Sequence, residues 1–119
     1  VLKGRFRALG APSLALAAVI AVAAPGTAFS DDEPQFTIEM KDGVITPDRL
    51  TVPAGKTVKI TVKNTGSSPA EFESRRLRKE RVISPGAETQ VVLKGLPAGE
   101  YSFFDEFHSD AKPGVIIAE

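Results

Sequence analysis

From about residue 36 to the end, the chain alternates short apolar runs with turn signals. The clearest run is Lys56 to Asn64. There Val58, Ile60 and Val62 alternate with Lys59, Thr61 and Lys63, a period of two that predicts a strand with one face buried and one in water. Phe36 to Met40 and Arg49 to Val52 carry the same pattern, and Glu71 to Glu73, Thr89 to Leu93, Glu100 to Phe104 and Val115 to Ala118 are further candidates. Asp42-Gly43, Pro47-Asp48, Pro53-Ala54-Gly55, Asn64-Thr65-Gly66, Pro85-Gly86, Pro97-Ala98-Gly99 and Pro113-Gly114 punctuate them, which leaves room for strands and little else. About seven short strands at this spacing predict an all-β fold, a two-sheet antiparallel sandwich.

One segment breaks the pattern. Arg75, Arg76, Arg78, Lys79 and Arg81 crowd into seven residues, interrupted by Leu77 and Glu80. The segment reads as a short helix or an irregular loop. Its charges are either a solvated surface or a docking patch, because clustered guanidinium groups present forked donors suited to the carboxylates of an acidic partner.

The first thirty residues differ from the rest. Lys3, Arg5 and Arg7 precede an apolar run from Leu14 to Ala24, with no acidic residue anywhere in the stretch. A basic start, an apolar middle and small residues at the end predict a secretory signal over residues 1–30, cut after Ala28 or Ser30, and a domain over 31–119. The apolar run is 11 residues long, well short of the ~20 that a membrane span requires. Taking the signal away removes three basic residues and no acidic ones. The remaining 12 Lys plus Arg against 15 Asp plus Glu give a net charge of −3, which sets nucleic-acid binding aside. Export places the domain in the periplasm.

Cysteine is absent, so no disulfide, thiolate nucleophile, iron–sulfur cluster or thiolate-ligated copper or zinc centre can form. A hydrolase has little support, since the chain has a single His and neither a nucleophile elbow nor a phosphate loop. Potential ligands gather in two places. On a strand, Glu71 and Glu73 project to the same side, two carboxylates that repel each other unless solvent or a cation intervenes. Asp105, Glu106 and His108 follow the aromatic strand Tyr101 to Phe104, and Asp105 shares the parity of Tyr101 and Phe103 at the strand end. Met40, the only thioether in the chain, is core filler or a weak ligand.

Thr51-Val52-Pro53-Ala54-Gly55-Lys56, the Asn64-Thr65-Gly66 turn, Pro85-Gly86, Pro97-Ala98-Gly99-Glu100-Tyr101 and Pro113-Gly114-Val115-Ile116-Ile117 together resemble a cupredoxin-type domain, over nearly all of Phe36 to Glu119. More narrowly, Pro69-Ala70-Glu71-Phe72-Glu73-Ser74, Leu77-Arg78-Lys79-Glu80 and Phe104-Asp105-Glu106-Phe107-His108 are similar to the cupredoxin-like components of bacterial periplasmic iron-uptake systems. These are the FtrB-type proteins and the N-terminal domain of EfeO-type proteins, which work beside a membrane iron permease. The resemblance implies a Greek-key β-sandwich. It also places Asp105 where a blue-copper protein has its Cys, and Ala70 followed by Glu71 where it has a His.

Type-1 copper needs one Cys and two His, so the resemblance implies a different centre. The implied ligands are Glu71, Glu73, Asp105, Glu106 and His108, with Glu80 and Met40 as lesser candidates. The implied metal is iron, with copper as competitor or companion. The implied role is to bind iron and relay it to the permease and its companion subunits, in preference to oxidising it, because no second redox centre is visible. The rival expectation is a metal-free interaction module that docks through residues 75–81.

Overall fold

The alternation resolves into two sheets packed face to face. The computed structural model describes residues 33–119, and the predicted export signal lies outside the described residues. In chain order the strands are β1 (Gln35–Lys41), β2 (Val44–Thr46), β3 (Arg49–Val52), β4 (Thr57–Asn64), β5 (Ala70–Ser74), β6 (Lys79–Ile83), β7 (Glu88–Lys94), β8 (Gly99–Asp105) and β9 (Gly114–Ala118). One sheet has the order β2-β1-β4-β7 and the other β3-β9-β8-β5-β6. Among the described residues the only helical element is a single 3-10 turn, Glu106–His108, directly after β8.

Period-two burial follows the residues that alternate in the sequence. Val58, Ile60 and Val62 of β4 turn inward against Val91 and Leu93 of β7 and Ile38 and Met40 of β1. The opposite sheet contributes Phe72, Phe103 and Ile116, with the Phe72 and Phe103 rings stacked at 4.9 Å. Sheet faces joined in this way exclude water from one contiguous apolar layer, which is the main favourable term for a domain without disulfides.

The fold class is as expected, with two differences. Among the described residues nine strands are present rather than about seven, because β2 and β6 are not legible as strands. The arrangement is also mixed rather than purely antiparallel: β1 runs parallel to β4, and β3 parallel to β9. Both parallel pairs arise because the chain crosses between sheets before it returns, which a tally of turns does not reveal. The basic segment is neither a helix nor a loop throughout. Arg75 to Arg78 form a turn, with Arg78 at φ 56°, and Lys79 begins strand β6.

The loop between β4 and β5 sets the position of the acidic strand. Asn64 is fully buried, and its side-chain amide donates to the carbonyls of Ser68 (2.9 Å) and Ile83 (2.8 Å) while its oxygen accepts from the Gly66 N–H. Asp42 Oδ1 accepts from the Ser67 and Ser68 N–H groups and from Ser68 Oγ. Gly66 lies so close that a Cβ there would sit 2.6 Å from that same oxygen. These bonds fix the entry of the chain into β5 and hence the direction in which Glu71 points.

Candidate metal centre

Strand pairing decides which acidic residues meet. Glu73 is the direct partner of Glu80 on β6 and of Phe104 on β8, so these three share the outer face of the five-stranded sheet. Glu71, two residues from Glu73, shares that face. Glu71, Glu73 and Glu80 each offer an oxygen within 4.8 Å of the other two. Like charges placed directly opposite each other destabilise a sheet, so an arrangement of three needs either protons or a cation.

Glu71 is only 8% exposed, and among the described residues its carboxylate has no salt-bridge partner and accepts no hydrogen bond from an N–H or hydroxyl group. Burial pushes its pKa above the ordinary 4.5, and the Glu80 carboxylate, close enough to share a proton, pushes in the same direction. Glu73 is raised as well, first by desolvation and then by Glu80 and Glu106, with Arg75 opposing. Arg75 lies beside the cluster with its guanidinium carbon 5.4 Å above the Phe104 ring centre. Glu106, at the start of the 3-10 turn, is near enough for its charge to act on both Glu71 and Glu73.

The remaining two predicted ligands lie elsewhere. Asp105 pairs with Phe72, and like Phe72 it faces the core side, where it is 2% exposed. Its Oδ1 accepts from the Glu71 N–H and the Phe107 N–H, each at 3.0 Å, and its Oδ2 lies 2.8 Å from His108 Nδ1. Asp105 therefore caps the 3-10 turn and ties it to β5. The other ring nitrogen, His108 Nε2, sits 3.3 Å from Ser68 Oγ, which in turn donates to Asp42. The two ligand-bearing segments are thus neighbours in the sheet. Their side chains divide into a glutamate group on the outer face and an Asp105–His108–Ser68–Asp42 chain at the strand end. Met40 is fully buried in the core.

Asp42 and Ser68 were not singled out from the sequence. The Asp42-Gly43 turn signal marks the place, but only the packing of Gly43 against the His108 ring, where an added Cβ would approach to 3.3 Å, brings it to the site. The basic segment separates into side chains that face different ways. Arg75 lies over Phe104, while Arg76 lies 4.5 Å over the Tyr101 ring.

The donor set does not fit type-1 copper. No sulfur ligand is available at the strand end, Asp105 is committed to three donors, and Ala70 has no ligating atom. It does fit a hard cation on the outer face, where three carboxylate oxygens converge and the most buried residue, Glu71, has among the described residues only another carboxyl group beside its own.

Comparison with known proteins agrees with the fold. A family model described as a cupredoxin-like domain matches residues 13–118. An uncharacterized protein of Rickettsia prowazekii (strain Madrid E), RP394, is 30% identical over 88 residues, covering 74% of this chain and 70% of that protein. Among solved structures, dithionite-reduced auracyanin from Roseiflexus castenholzii superposes with a TM-score of 0.61 at 16% identity, covering 73% of this chain and 98% of that one. The Cu(I)-bound metal-binding domain of the Streptococcus pneumoniae D39 Cu(I)-exporting P-type ATPase CopA superposes with a TM-score of 0.60 at 14% identity, covering 77% and 91% respectively. Among the described residues, no helix is long and apolar enough to cross a membrane. A match over this much of the sequence, on a two-sheet sandwich with a carboxylate cluster on one face, shows that the chain belongs to the cupredoxin-like domain family.

Proposed function

We propose that this protein is an exported carrier that binds iron on the outer face of its five-stranded sheet through Glu71, Glu73 and Glu80, with Glu106 closing the site, and passes it to a membrane permease. The observation that carries the reading is that Glu71, 8% exposed, stands with two further carboxylates and, among the described residues, accepts no hydrogen bond from an N–H or hydroxyl group. Nothing in the core requires three acids there, and a cation reverses the repulsion that they create. Oxygen-only ligation suits a hard ion, and the absence of thiolate removes the feature by which cupredoxins ordinarily select copper. Copper remains a competitor on affinity order alone. Binding and relay are favoured over oxidation, because the described residues supply no second redox group to receive an electron.

Metal titrations followed by thermal melts in Fe(II), Cu(II), Mn(II) and Zn(II) test the reading. Selective stabilisation is expected, of about 2.7 kcal/mol when free metal exceeds its Kd a hundredfold. It should be lost in the Glu71→Gln, Glu73→Gln double variant. Affinity should fall on acidification, because the raised carboxyl groups must first release their protons. His108→Ala asks separately whether the imidazole takes part. An unchanged titration confines the site to the glutamates, and no binding by wild type ends the proposal.

A further inference from the structure

At the opposite end of β8 from Glu106, the two sheets leave an open groove of about 770 Å³ between the edge strands β6 and β7. Its apolar lining includes Leu77, Leu96, Pro97 and Tyr101, and Leu77 and Leu96 are half-buried and pack against the core. Arg76, Lys79 and Lys94 line it too, and no carboxylate does. That charge runs against the rest of the domain, which from Asp31 onward is net negative.

Arg76 is already held in place. Its guanidinium stacks 4.5 Å from the Tyr101 ring centre, and Nη1 donates to the Glu100 carbonyl at 2.7 Å. The Tyr101 hydroxyl donates to the Pro97 carbonyl at 2.6 Å and fixes the floor. One guanidinium nitrogen is thus engaged with backbone while further N–H groups remain for a carboxylate, and little side-chain freedom is left to lose on binding. Among the described residues β7 pairs only with β4 and β6 only with β5, so each presents an unpaired backbone edge beside the groove.

From these features we propose that the groove is a docking site for an extended segment of a partner protein that carries acidic side chains together with apolar ones. The carboxylates would meet Arg76, Lys79 and Lys94, the apolar side chains would cover Leu77 and Leu96, and the backbone would add to the edge of β7. A concave surface suits a peptide, whereas an anionic membrane would call for a projecting one. Inward-facing charges such as Lys79 also guard edge strands against unwanted pairing. That role accounts neither for the fixed stack of Arg76 nor for Lys94, which comes from the other sheet. Lys79 of the groove and its neighbour Glu80 of the carboxylate cluster point to opposite sides of β6, so the two sites lie on different faces of the sheet. A docked partner therefore leaves the proposed metal site open, and the inference does not rest on the metal reading.

Panning a 12-residue phage-display library against the full chain tests this, with the Arg76→Gln, Lys94→Gln double variant as counter-screen. Enrichment of peptides rich in Asp or Glu with Leu, Ile, Val or Phe is expected. By fluorescence anisotropy their affinity should fall at least tenfold in the double variant and about threefold in Lys94→Gln alone, a side chain with no partner to lose among the described hydrogen bonds and ion pairs. Binding should weaken with added salt, and backbone amide shifts should centre on Val92 to Lys94 and Leu77. Failure to enrich overturns the proposal, as does selection of neutral or basic peptides, undiminished binding by the variants, or binding to phosphatidylglycerol vesicles without binding to peptides.

Discussion

Replacing Glu71 by Gln should act in opposite directions on the metal-free and the metal-loaded protein. The change keeps the shape of the side chain and removes one charge from a cluster whose ligand oxygens lie within 4.8 Å of one another. A pair of unit charges at that separation repels by about 3.5 kcal/mol at an effective dielectric of 20, and by about 0.9 kcal/mol in bulk water. Glu80 is exposed, so screening draws the value toward the lower figure. The metal-free variant should therefore be more stable than wild type by about 1 kcal/mol at pH 7.5, or roughly 4–8 °C in Tm for a domain of this size. Because the Glu71 pKa is raised, the wild-type residue takes up its proton as the pH falls toward 4.5, and the advantage should shrink over that interval. In saturating metal the order should reverse, since the variant has lost its most buried ligand. Differential scanning calorimetry after chelation, at pH 7.5 and 4.5, and again with Fe(II) under anaerobic conditions, gives all three comparisons. A variant that melts below wild type when metal-free at pH 7.5, or an advantage of the same size at both pH values, would refute the electrostatic account.

Three further outcomes follow from the same geometry. Glu71 and Glu73 titrate above 4.5 in the folded chain, so between 4.5 and those raised values the folded state holds more protons than the unfolded one and stability falls as pH rises. Asp42 and Asp48 are lowered below 3.8, by hydrogen bonds from Ser68 and from Lys112 respectively, and their contribution is lost on acidification past that value. Urea titrations of metal-free protein across pH should thus peak between about 3.8 and 4.5. Asp105→Ala strips the acceptor from the Glu71 and Phe107 N–H groups and from His108 Nδ1, and should cost about 3 kcal/mol in a urea melt. Asp105→Asn, which keeps an oxygen for the two backbone donors, should cost distinctly less. Gly114→Ala would press a methyl group against the far edge of the buried Phe103 ring, closer than van der Waals contact allows, and should cost about 1–3 kcal/mol, part of it recovered by adding Phe103→Leu.

The elements legible in the sequence were those whose alternation is complete. β4 is the clearest case, because every second residue from Val58 to Val62 is aliphatic and the intervening ones are polar. β6 escaped notice because it is an edge strand whose inward positions include Lys79 and Arg81, partners of Ser74 and Phe72. Period two is present there, but in charge rather than in hydrophobicity. Missing β6 had a chemical consequence: with residues 75–81 taken as a helix or loop, nothing indicates that Glu80 stands directly opposite Glu73. β2 is three residues long, too short for any periodicity to register. Of the candidate ligands, the Glu71 and Glu73 pair follows from strand parity alone. The tie of Asp105 to His108 depends on a capped 3-10 turn, whose hydrogen bonds leave only a faint trace in the residues themselves.

Register also explains why Asp105 and the glutamates do not form one centre. Asp105 faces the core side because it pairs with Phe72, and a shift of one residue would carry Phe72 and Phe103 out into water, so its direction cannot change while the sandwich persists. A residue held there reaches only what the strand end offers, and in this chain that is two backbone N–H groups and an imidazole, all of which it satisfies. Glu73, one position off in the pairing, faces outward beside Phe104 and Glu80, on the side open to solvent. An enclosed site at a strand end favours a resident metal, since exit requires loop opening. A site on an open sheet face favours exchange, because the ligands that release the ion are rehydrated as it leaves. On this scaffold, parity alone thus decides whether a carboxylate is spent on the strand end or left on the open face of the sheet, with the core unchanged.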